Sequence, residues 1–283
     1  MTQTVDGVSF SLLEPADFSW LRELGEVFRV FDQQDSGNIA FGVERDGRKS
    51  FVKYAGARTV NYRGTPQDAV ARLRAATRVY RDLEHPVLIP MLEELALPAG
   101  FAIRFDWFPG ECLHPHWEYP PPRKHTDPRS PFYRFRRLSI ARRLDAYQRI
   151  VEFHASVERS GYVAIDFYDG CLLYDFATDV LRICDIDLYR PRPFRNLMGR
   201  LWGSTRFMAP EEFILGAEID ERTNVYGMAA TAFCLLGGER DRAFERWEAG
   251  PARYAVAHRA VCEDRAGRYP SVEAFLRAWS EAS

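Results

Sequence analysis

The segment GYVAIDFYDGCLLYDFATDVLRICDIDLY, residues 161–189, decides the fold prediction for this chain. The apolar triplet CLL lies in its middle, and a second apolar run ends at Asp185. This pattern predicts two short strands, with Asp166 and Asp185 on loops at their ends. Loop residues that a rigid scaffold holds in place often carry chemistry. A simple hairpin with two solvated acidic turns would give the same pattern, so the rest of the chain must decide between these interpretations.

The composition is that of an ordinary globular protein, with 283 residues, 46% hydrophobic and 28% charged. This length suits one large domain or two modest ones. The net charge of −2 provides no field that would recruit nucleic acid or an anionic membrane. The five cysteines are scattered, without the spacing of a disulfide framework or a zinc site. Without a leader-like N-terminus or a long apolar run, we expect a cytoplasmic protein with neither nucleic-acid nor membrane partners.

Turn signals divide the first 108 residues into strands and one main helix. Asp46-Gly47 is a strong hairpin signal, and Thr65-Pro66 begins a segment with apolar residues at helical spacing over 66–83. We expect residues 1–25 to form a short helix packed on this region. The predicted strands lie near residues 27–33, 38–45, 49–55, 88–97 and 101–108.

The rest of the chain is mostly helical in pattern. Residues 109–137 are rich in proline and basic residues, which favours a linker over a binding motif. Helical patterns follow, near residues 138–159, 221–237, 251–263 and 271–281. The sequence therefore predicts an α+β protein with an antiparallel-sheet part and a larger helical part.

The most specific motif is GSTRFMAPE at residues 203–211. It resembles the GTxxYMAPE end of the activation segment in serine/threonine protein kinases. Residues 220–228, DERTNVYGM, resemble the DxxSDVYSLG start of the central helix in the same family, with Asn224 in place of Asp. The resemblance extends over most of the chain and is closest to bacterial kinases of the eukaryotic type.

This resemblance implies a bilobal protein kinase-like fold. Residues 1–25 would be an extension packed on the N-lobe, residues 26–108 the N-lobe, and residues 109–283 the C-lobe, with 109–137 as an insertion. The N-lobe would contain a small antiparallel sheet and one main helix, and the C-lobe would be mostly helical.

The segment that matches the family's catalytic loop keeps the aspartate of the motif, but the other motif residues are replaced. The family motif is HRDxxxxN, and the resemblance makes Asp166 the residue that orients the substrate hydroxyl and accepts its proton. Because an isoleucine replaces the arginine that clasps a phosphate, we do not expect switching by phosphorylation of the activation segment. The family's His, Arg, Lys and Asn are replaced by Ala164, Ile165, Tyr168 and Cys171.

The family's DFG motif is replaced by Asp185-Ile186-Asp187. The resemblance implies that Asp185 holds magnesium. Cysteine at the asparagine position is a poor magnesium ligand, because this ion prefers hard oxygen donors. We expect Asp169 or Asp187 to supply the missing oxygen.

The resemblance also implies a site for ATP. Lys53, in the apolar strand FVKY, would neutralise the phosphates; a strand-edge lysine in water is the alternative interpretation. Ala76 stands where the family has the partner glutamate, which leaves Asp68 as a weak candidate. The remaining implied ATP contacts come from the glycine loop at Gly37 and Asn38, and from the backbone of Asp106 and Phe108 at the adenine.

Two further roles follow from the resemblance. Ser204 would lie beside Asp166 and help to present a Ser/Thr hydroxyl. Glu211 would form a buried ion pair with Arg268.

Three functions remain open at this point. The first is ATP- and magnesium-dependent phosphorylation of Ser/Thr in a protein substrate. The second is a pseudokinase that acts as a regulatory or binding module for a protein partner, which the substituted catalytic loop favours. The third is a small-molecule kinase of the aminoglycoside or choline type, against which the MAPE segment weighs.

Overall fold

The computed structural model describes residues 1–282, and the chain divides into two compact units. The smaller unit comprises residues 1–84 and 89–108. The larger unit comprises residues 85–88 together with the chain from Pro109 onward. Strands dominate the first unit and helices the second, which confirms the α+β class. The division after Phe108 coincides with the boundary expected from the sequence.

An antiparallel sheet is the frame of the smaller unit. The strands of this unit are β1 (Thr2–Val5), β2 (Val8–Ser11), β3 (Glu26–Phe31), β4 (Asn38–Arg45), β5 (Arg48–Ala55), β6 (Met91–Leu97) and β7 (Gly100–Asp106), and the α-helix of the unit is α1 (Pro66–Asp82). Five of these strands form one sheet in the order β3-β4-β5-β7-β6. Asp46 and Gly47 connect β4 to β5 with φ of 52° and 73°, the positive values that a two-residue hairpin turn requires.

The N-terminal segment begins with a hairpin, so the short helix expected within residues 1–25 is limited to Ser19–Glu23. Asp6 and Gly7 turn the chain between β1 and β2 with φ of 48° and 82°. A short 3₁₀ turn covers Ser19–Glu23. The segment packs on the sheet, where its buried side chains Phe10, Leu12, Phe18 and Leu21 join a core with Ile39, Phe41 and Val52.

Helix α1 begins at a capping box, as its sequence predicts. The Thr65 hydroxyl accepts the Asp68 N–H at 3.1 Å, and the Asp68 carboxylate accepts the Thr65 N–H at 3.2 Å. Pro66 occupies the first turn, where its missing N–H has no effect on the helix ladder. Ala76 lies on the buried face of the helix.

The larger unit is built around a buried helix. Its strands are β8 (Glu111–Cys112), β9 (Tyr162–Val163), β10 (Leu172–Asp175), β11 (Val180–Ile183), β12 (Arg190–Pro191), β13 (Phe194–Arg195) and β14 (Glu218–Ile219). Its helices are α2 (Arg123–Thr126), α3 (Pro131–Arg136), α4 (Ile140–Arg159), α5 (Glu221–Leu236), α6 (Pro251–Ala260) and α7 (Val272–Glu281). Helix α5 contacts α4, α6 and α7, and beyond its polar first turn it is mostly apolar and buried around its circumference.

Residues 109–137 are a packed part of the larger unit, so the linker interpretation is wrong. They contain β8, α2 and α3, and both Phe132 and Phe135 are buried. Strand β8 pairs with β10, which places this insertion beside the hairpin.

The hairpin of β10 and β11 positions the two acidic loops. Leu172 lies opposite Ile183, and the sheet order is β11-β10-β8. Asp166 lies in the loop that precedes β10, and Asp185 lies in the loop that follows β11. Among residues 1–282, no helix is both long and apolar enough to cross a membrane.

Candidate functional site

Asp166 and Asp185 both adopt a left-handed backbone conformation. Asp166 has a φ of 63° and Asp185 a φ of 57°. Aspartate tolerates this conformation better than most residues, because its short side chain can form local hydrogen bonds. Such strain persists only where the surrounding structure holds it, and it concentrates at functional sites. Both aspartates therefore lie on loops, as expected, in a shape that their surroundings must maintain.

Asn224 of α5 holds the backbone just before Asp166. Its Oδ1 accepts the Ala164 N–H at 2.8 Å, and its Nδ2 donates to the Tyr162 carbonyl at 3.1 Å. The side chain is buried, so both bonds are shielded from water. An amide can accept and donate at once, whereas an ionised carboxylate only accepts. The asparagine at this position therefore serves both groups of the loop.

Cys171 lies against the backbone of both acidic loops. Its Sγ is 3.5 Å from the carbonyl oxygen of Asp166 and 3.8 Å from that of Asp185. Burial raises the pKa of this thiol well above its usual range, so it stays a neutral, weak donor. Cys171 thus contributes to the shape of the loops, and it supplies no hard oxygen for magnesium.

Asp166 and Ser204 line the same small depression, as the sequence predicts. The space is about 10 Å³, roughly the size of one water molecule. Gly203 runs close by with a φ of 143°, and a Cβ there would lie 3.6 Å from the Asp166 Cα. Glu212 also lines the depression. Burial raises the pKa of Glu212 to about 8, and the charges of Glu211 and Asp166 act in the same direction.

The ion pair between Glu211 and Arg268 is present and bidentate. Arg268 Nη1 donates to Glu211 Oε1 at 2.8 Å, and Nη2 donates to Oε2 at 3.0 Å. Both side chains are buried. Thr223 Oγ1 donates to Glu211 Oε1 at 2.9 Å, which ties α5 into the same network. The pair fixes the end of the segment 203–211 against the helical core.

Asp169 is at the centre of an ion cluster, called here the Asp169 cluster, in which Asp169 and Lys124 are buried and Arg206 and Glu239 are half-buried. Lys124 Nζ lies 2.5 Å from Asp169 Oδ2 and 2.9 Å from Glu239 Oε1. Arg206 donates to both oxygens of Asp169, at 2.7 and 3.0 Å, and also to Glu239. Burial alone would raise the pKa of Asp169, but Lys124 and Arg206 outweigh it and hold that pKa well below its usual range.

The expected role of Asp169 as a metal ligand is therefore wrong. Its side chain is 0% exposed and both of its oxygens bind cations of the chain itself. Within residues 1–282, the one group of three potential ligands whose donor atoms lie within 4.8 Å of one another is Asp169, Cys234 and Glu239. Lys124 and Arg206 supply the positive charge there. Asp185 and Asp187 retain the hard carboxylate oxygens that suit magnesium.

Lys53 is a buried residue of β5, at 5% exposure, so the alternative of a strand-edge lysine in water is wrong. It lies opposite Ala40 on β4 and Ile103 on β7. Asp68 does not fit as its partner, because Asp68 is exposed and caps α1 through Thr65. Burial of an ammonium requires compensation by an anionic group or a ligand.

The other expected ATP contacts are only partly suited to that role. Gly37 has a φ of 82°, and a Cβ there would lie 2.6 Å from the Tyr62 ring, so packing within the unit already requires glycine. Asn38 is buried at the start of β4. The Asp106 N–H donates to the Pro90 carbonyl at 3.0 Å, so pairing with adenine there would use the Asp106 carbonyl. Phe108 is half-buried at the end of the unit.

Sequence reasoning missed three residues of the Asp169 cluster. Lys124 belongs to the proline-rich stretch 109–137, whose composition favours a linker, and Arg206 follows an arginine-rich stretch whose local pattern does not indicate an ion cluster. Glu239 follows the end of α5 and has a φ of 63°. The one signal in the sequence was Asp169 itself, because a carboxylate requires a charged or metal partner once it is buried.

No protein-family model and no curated protein matches this chain in sequence. The kinase interpretation therefore depends on the motifs and on the geometry described above.

Proposed function

We propose that this protein is an ATP-dependent phosphotransferase of the protein kinase type, which transfers the γ-phosphate to Ser/Thr hydroxyls of protein substrates with the aid of magnesium. The observation that carries this proposal is the surroundings of Asp166. Asn224 holds the backbone just before the strained Asp166. Ser204 lies beside Asp166, on the segment 203–211, and the Glu211–Arg268 pair anchors the end of that segment.

The residues divide the chemistry between them in this proposal. Asp166 orients the substrate hydroxyl and accepts its proton, and Ser204 helps to hold that hydroxyl. Lys53 neutralises negative charge on the phosphates. Most of the catalysis then comes from positioning and electrostatic stabilisation, as phosphoryl transfer requires.

Asp185 and Asp187 are the residues that fit magnesium by donor type. The ion would supply positive charge that stabilises the transferring phosphoryl group. Asp185 is exposed at the end of β11, and Asp187 is half-buried. Asp169 takes no part, because the cluster occupies it.

The test is transfer of labelled phosphate from ATP to a general protein substrate such as myelin basic protein or casein. The wild type should transfer, and Asp166→Asn should reduce kcat by a factor of about 10² or more, because a positioned base is lost. Asp145→Asn is a matched control, since Asp145 is an exposed carboxylate that pairs with Arg149 on α4. Transfer that survives Asp166→Asn would contradict the proposal, as would transfer only to small hydroxylated metabolites.

A second candidate is a regulatory or binding module without catalysis. The specific observation that favours it is that two residues of the catalytic loop offer magnesium no oxygen: Cys171, at the family's asparagine position, is a neutral thiol, and Asp169 is bound to Lys124 and Arg206. Under this alternative the wild type transfers no phosphate. Thermal shift with ATP, with and without magnesium, then separates a nucleotide-binding module from one that binds no nucleotide, because a ligand of the native state raises Tm.

A further inference from the structure

The Asp169 cluster connects four separate segments of the larger unit. Lys124 comes from α2 in the insertion, and Asp169 comes from the loop that carries Asp166. Arg206 comes from the segment 203–211, and Glu239 follows the end of α5. The contacts are charge-assisted and buried, so they are stronger and more directional than ion pairs in water.

We propose that the Asp169 cluster holds the segment 203–211 in its working position without phosphorylation, with Arg206 as a positioning residue. This inference rests on the proposed function, because the position matters only if Ser204 and Asp166 act together. Arg206 is two residues from Ser204, and Asp169 is three residues from Asp166. The bidentate bonds between Arg206 and Asp169 therefore fix the two short chain segments that line the depression.

The sequence that leads up to the segment supports the same conclusion independently. From Arg190 to Gly203 the chain contains no serine, threonine or tyrosine. The residue before Asp166 is Ile165, which cannot bind a phosphate. A phosphate-dependent switch needs both a hydroxyl to modify and a cation to receive the phosphate. Here Arg206 of the segment binds the carboxylates of Asp169 and Glu239. This is the same kind of ionic link, and it needs no phosphate.

Thr205 carries the one hydroxyl of the segment 203–211 besides that of Ser204. Thr205 is exposed, and its Oγ1 accepts a hydrogen bond from Arg240. If it were a regulatory phosphorylation site, a phosphate on its hydroxyl would change the order of the segment, and Thr205→Val would prevent that change. The proposal expects no such change.

Lys124 provides a second cation for Asp169, and this makes the test practicable. When Arg206 is replaced, Asp169 keeps the bond to Lys124, so no bare buried carboxylate remains. The variant Arg206→Gln should therefore fold while the link to the segment is lost. Arg206→Lys keeps a charge but not the bidentate geometry, and should restore part of the effect.

The experiment is hydrogen exchange followed by mass spectrometry on the full chain, with the intact mass showing that no phosphate is attached. Amides of residues 203–208 should be protected in the unphosphorylated wild type. In Arg206→Gln their exchange should be faster by about tenfold or more, because the local opening free energy falls. Arg190→Gln is the matched control, since it removes an exposed arginine whose contact is with the Phe194 ring, outside both the cluster and the segment 203–211, and it should leave exchange unchanged.

Kinetics provide a second measurement. Arg206→Gln should lower kcat by about 10- to 100-fold through misplacement of the segment, with KM for ATP changed by less than about twofold. Arg206→Lys should recover part of kcat, and Thr205→Val should match the wild type in exchange and kcat. If Arg206→Gln fails to fold by circular dichroism, Arg206→Lys replaces it and should still increase exchange of residues 203–208, because lysine keeps the charge but not the bidentate bonds to Asp169.

Three results would overturn the proposal: an unprotected segment in the unphosphorylated wild type, unchanged exchange in Arg206→Gln, or increased exchange in Thr205→Val. Hydrogen exchange needs no catalytic activity. A wild type that transfers no phosphate but shows the expected exchange pattern would therefore contradict the proposed function alone.

Discussion

Two buried ionic networks in the larger unit are built on different plans. In the first, one arginine, Arg268, makes the bidentate contact to Glu211, and Arg265 approaches the same carboxylate only at 3.7 Å. In the second, the Asp169 cluster, two cations share two carboxylates. When the one close cation of the first network is replaced, its buried carboxylate loses its main partner. When one cation of the second network is replaced, the other cation still binds both carboxylates. This difference leads to an order of expected effects.

The largest effect should follow Arg268→Met. The side chain volume is nearly kept, but Glu211 remains as a buried charge without its bidentate partner. Removal of one member of a buried pair costs about 3–5 kcal/mol. Urea denaturation at pH 7 should show this loss in the free energy of unfolding.

Two controls define that result. Arg277→Met removes an exposed arginine of α7 and should change stability by less than about 0.5 kcal/mol. Arg265→Met removes the more distant contact to Glu211 together with a half-buried ion pair to Asp220 at 2.6 Å, and should cost less than Arg268→Met, about 1–2 kcal/mol. If Arg268→Met were as mild as Arg265→Met, the two networks would not differ in the way described.

A smaller effect should follow Lys124→Met. Asp169 keeps both bonds from Arg206, and methionine can keep the contact with the Phe132 ring, above which Lys124 Nζ lies at 3.9 Å. We expect a loss of about 1–3 kcal/mol, the range for hydrogen bonds to charged groups. Urea denaturation measures it, with the exposed Arg123→Met of the same helix as the control. A loss as large as that of Arg268→Met would show that the two cations do not share the compensation.

The two networks also differ in how far the sequence could predict them. Glu211 and Arg268 are far apart in the chain, yet each lies in a recognisable motif, so the pair was predicted and is present. Lys124 lies in a stretch whose proline and basic residues indicate a linker. Its burial depends on how α2 packs, and this is a tertiary property that local composition does not contain.

The same distinction explains the correction for Asp169. Its spacing from Asp166 in the sequence suggested a shared metal site. The chain, however, turns at Asp166 with a φ of 63° and enters a 3₁₀ turn over Asp169–Cys171. This local path directs the Asp169 carboxylate into the interior, and spacing alone does not encode such a direction. The N-terminal hairpin is a different case, because Asp6-Gly7 is a turn signal that the sequence did contain.

The main elements were predictable because their signals are local. Helix α1 has a capping box and a proline at its start, and α4 has a regular apolar stripe, so both appear within a few residues of their predicted bounds. The positions of Asp166 and Asp185 at strand ends followed from the same patterns. The shape of their loops depends on Asn224 and Cys171, whose contacts are long-range.

The smallest effect concerns Glu212, the neighbour of Glu211 in the same segment. Glu211 has a bidentate arginine, whereas Glu212 accepts the Ala209 N–H at 2.6 Å. Burial raises the pKa of Glu212 to about 8, from an ordinary value of about 4.3 in the unfolded chain. Between these values the native state holds a proton that the unfolded state has released, so stability falls as pH rises from about 5 to about 8.

Glu212→Gln should remove this dependence, because an amide keeps an acceptor for Ala209 and carries no charge. The variant should gain stability over the wild type as pH increases, by about 1–2 kcal/mol between pH 6 and pH 8, and the gain should level off above pH 8. Glu158, whose pKa burial raises to about 7, contributes a slope of the same sign in both proteins and cancels in the difference. Urea denaturation at pH 6, 7 and 8 measures the difference, with the exposed Glu218→Gln as a control that should show none. A gain that shrinks as pH rises would mean that Glu212 is ionised in the native state, so that the segment holds two charged carboxylates and needs a cation beyond Arg268.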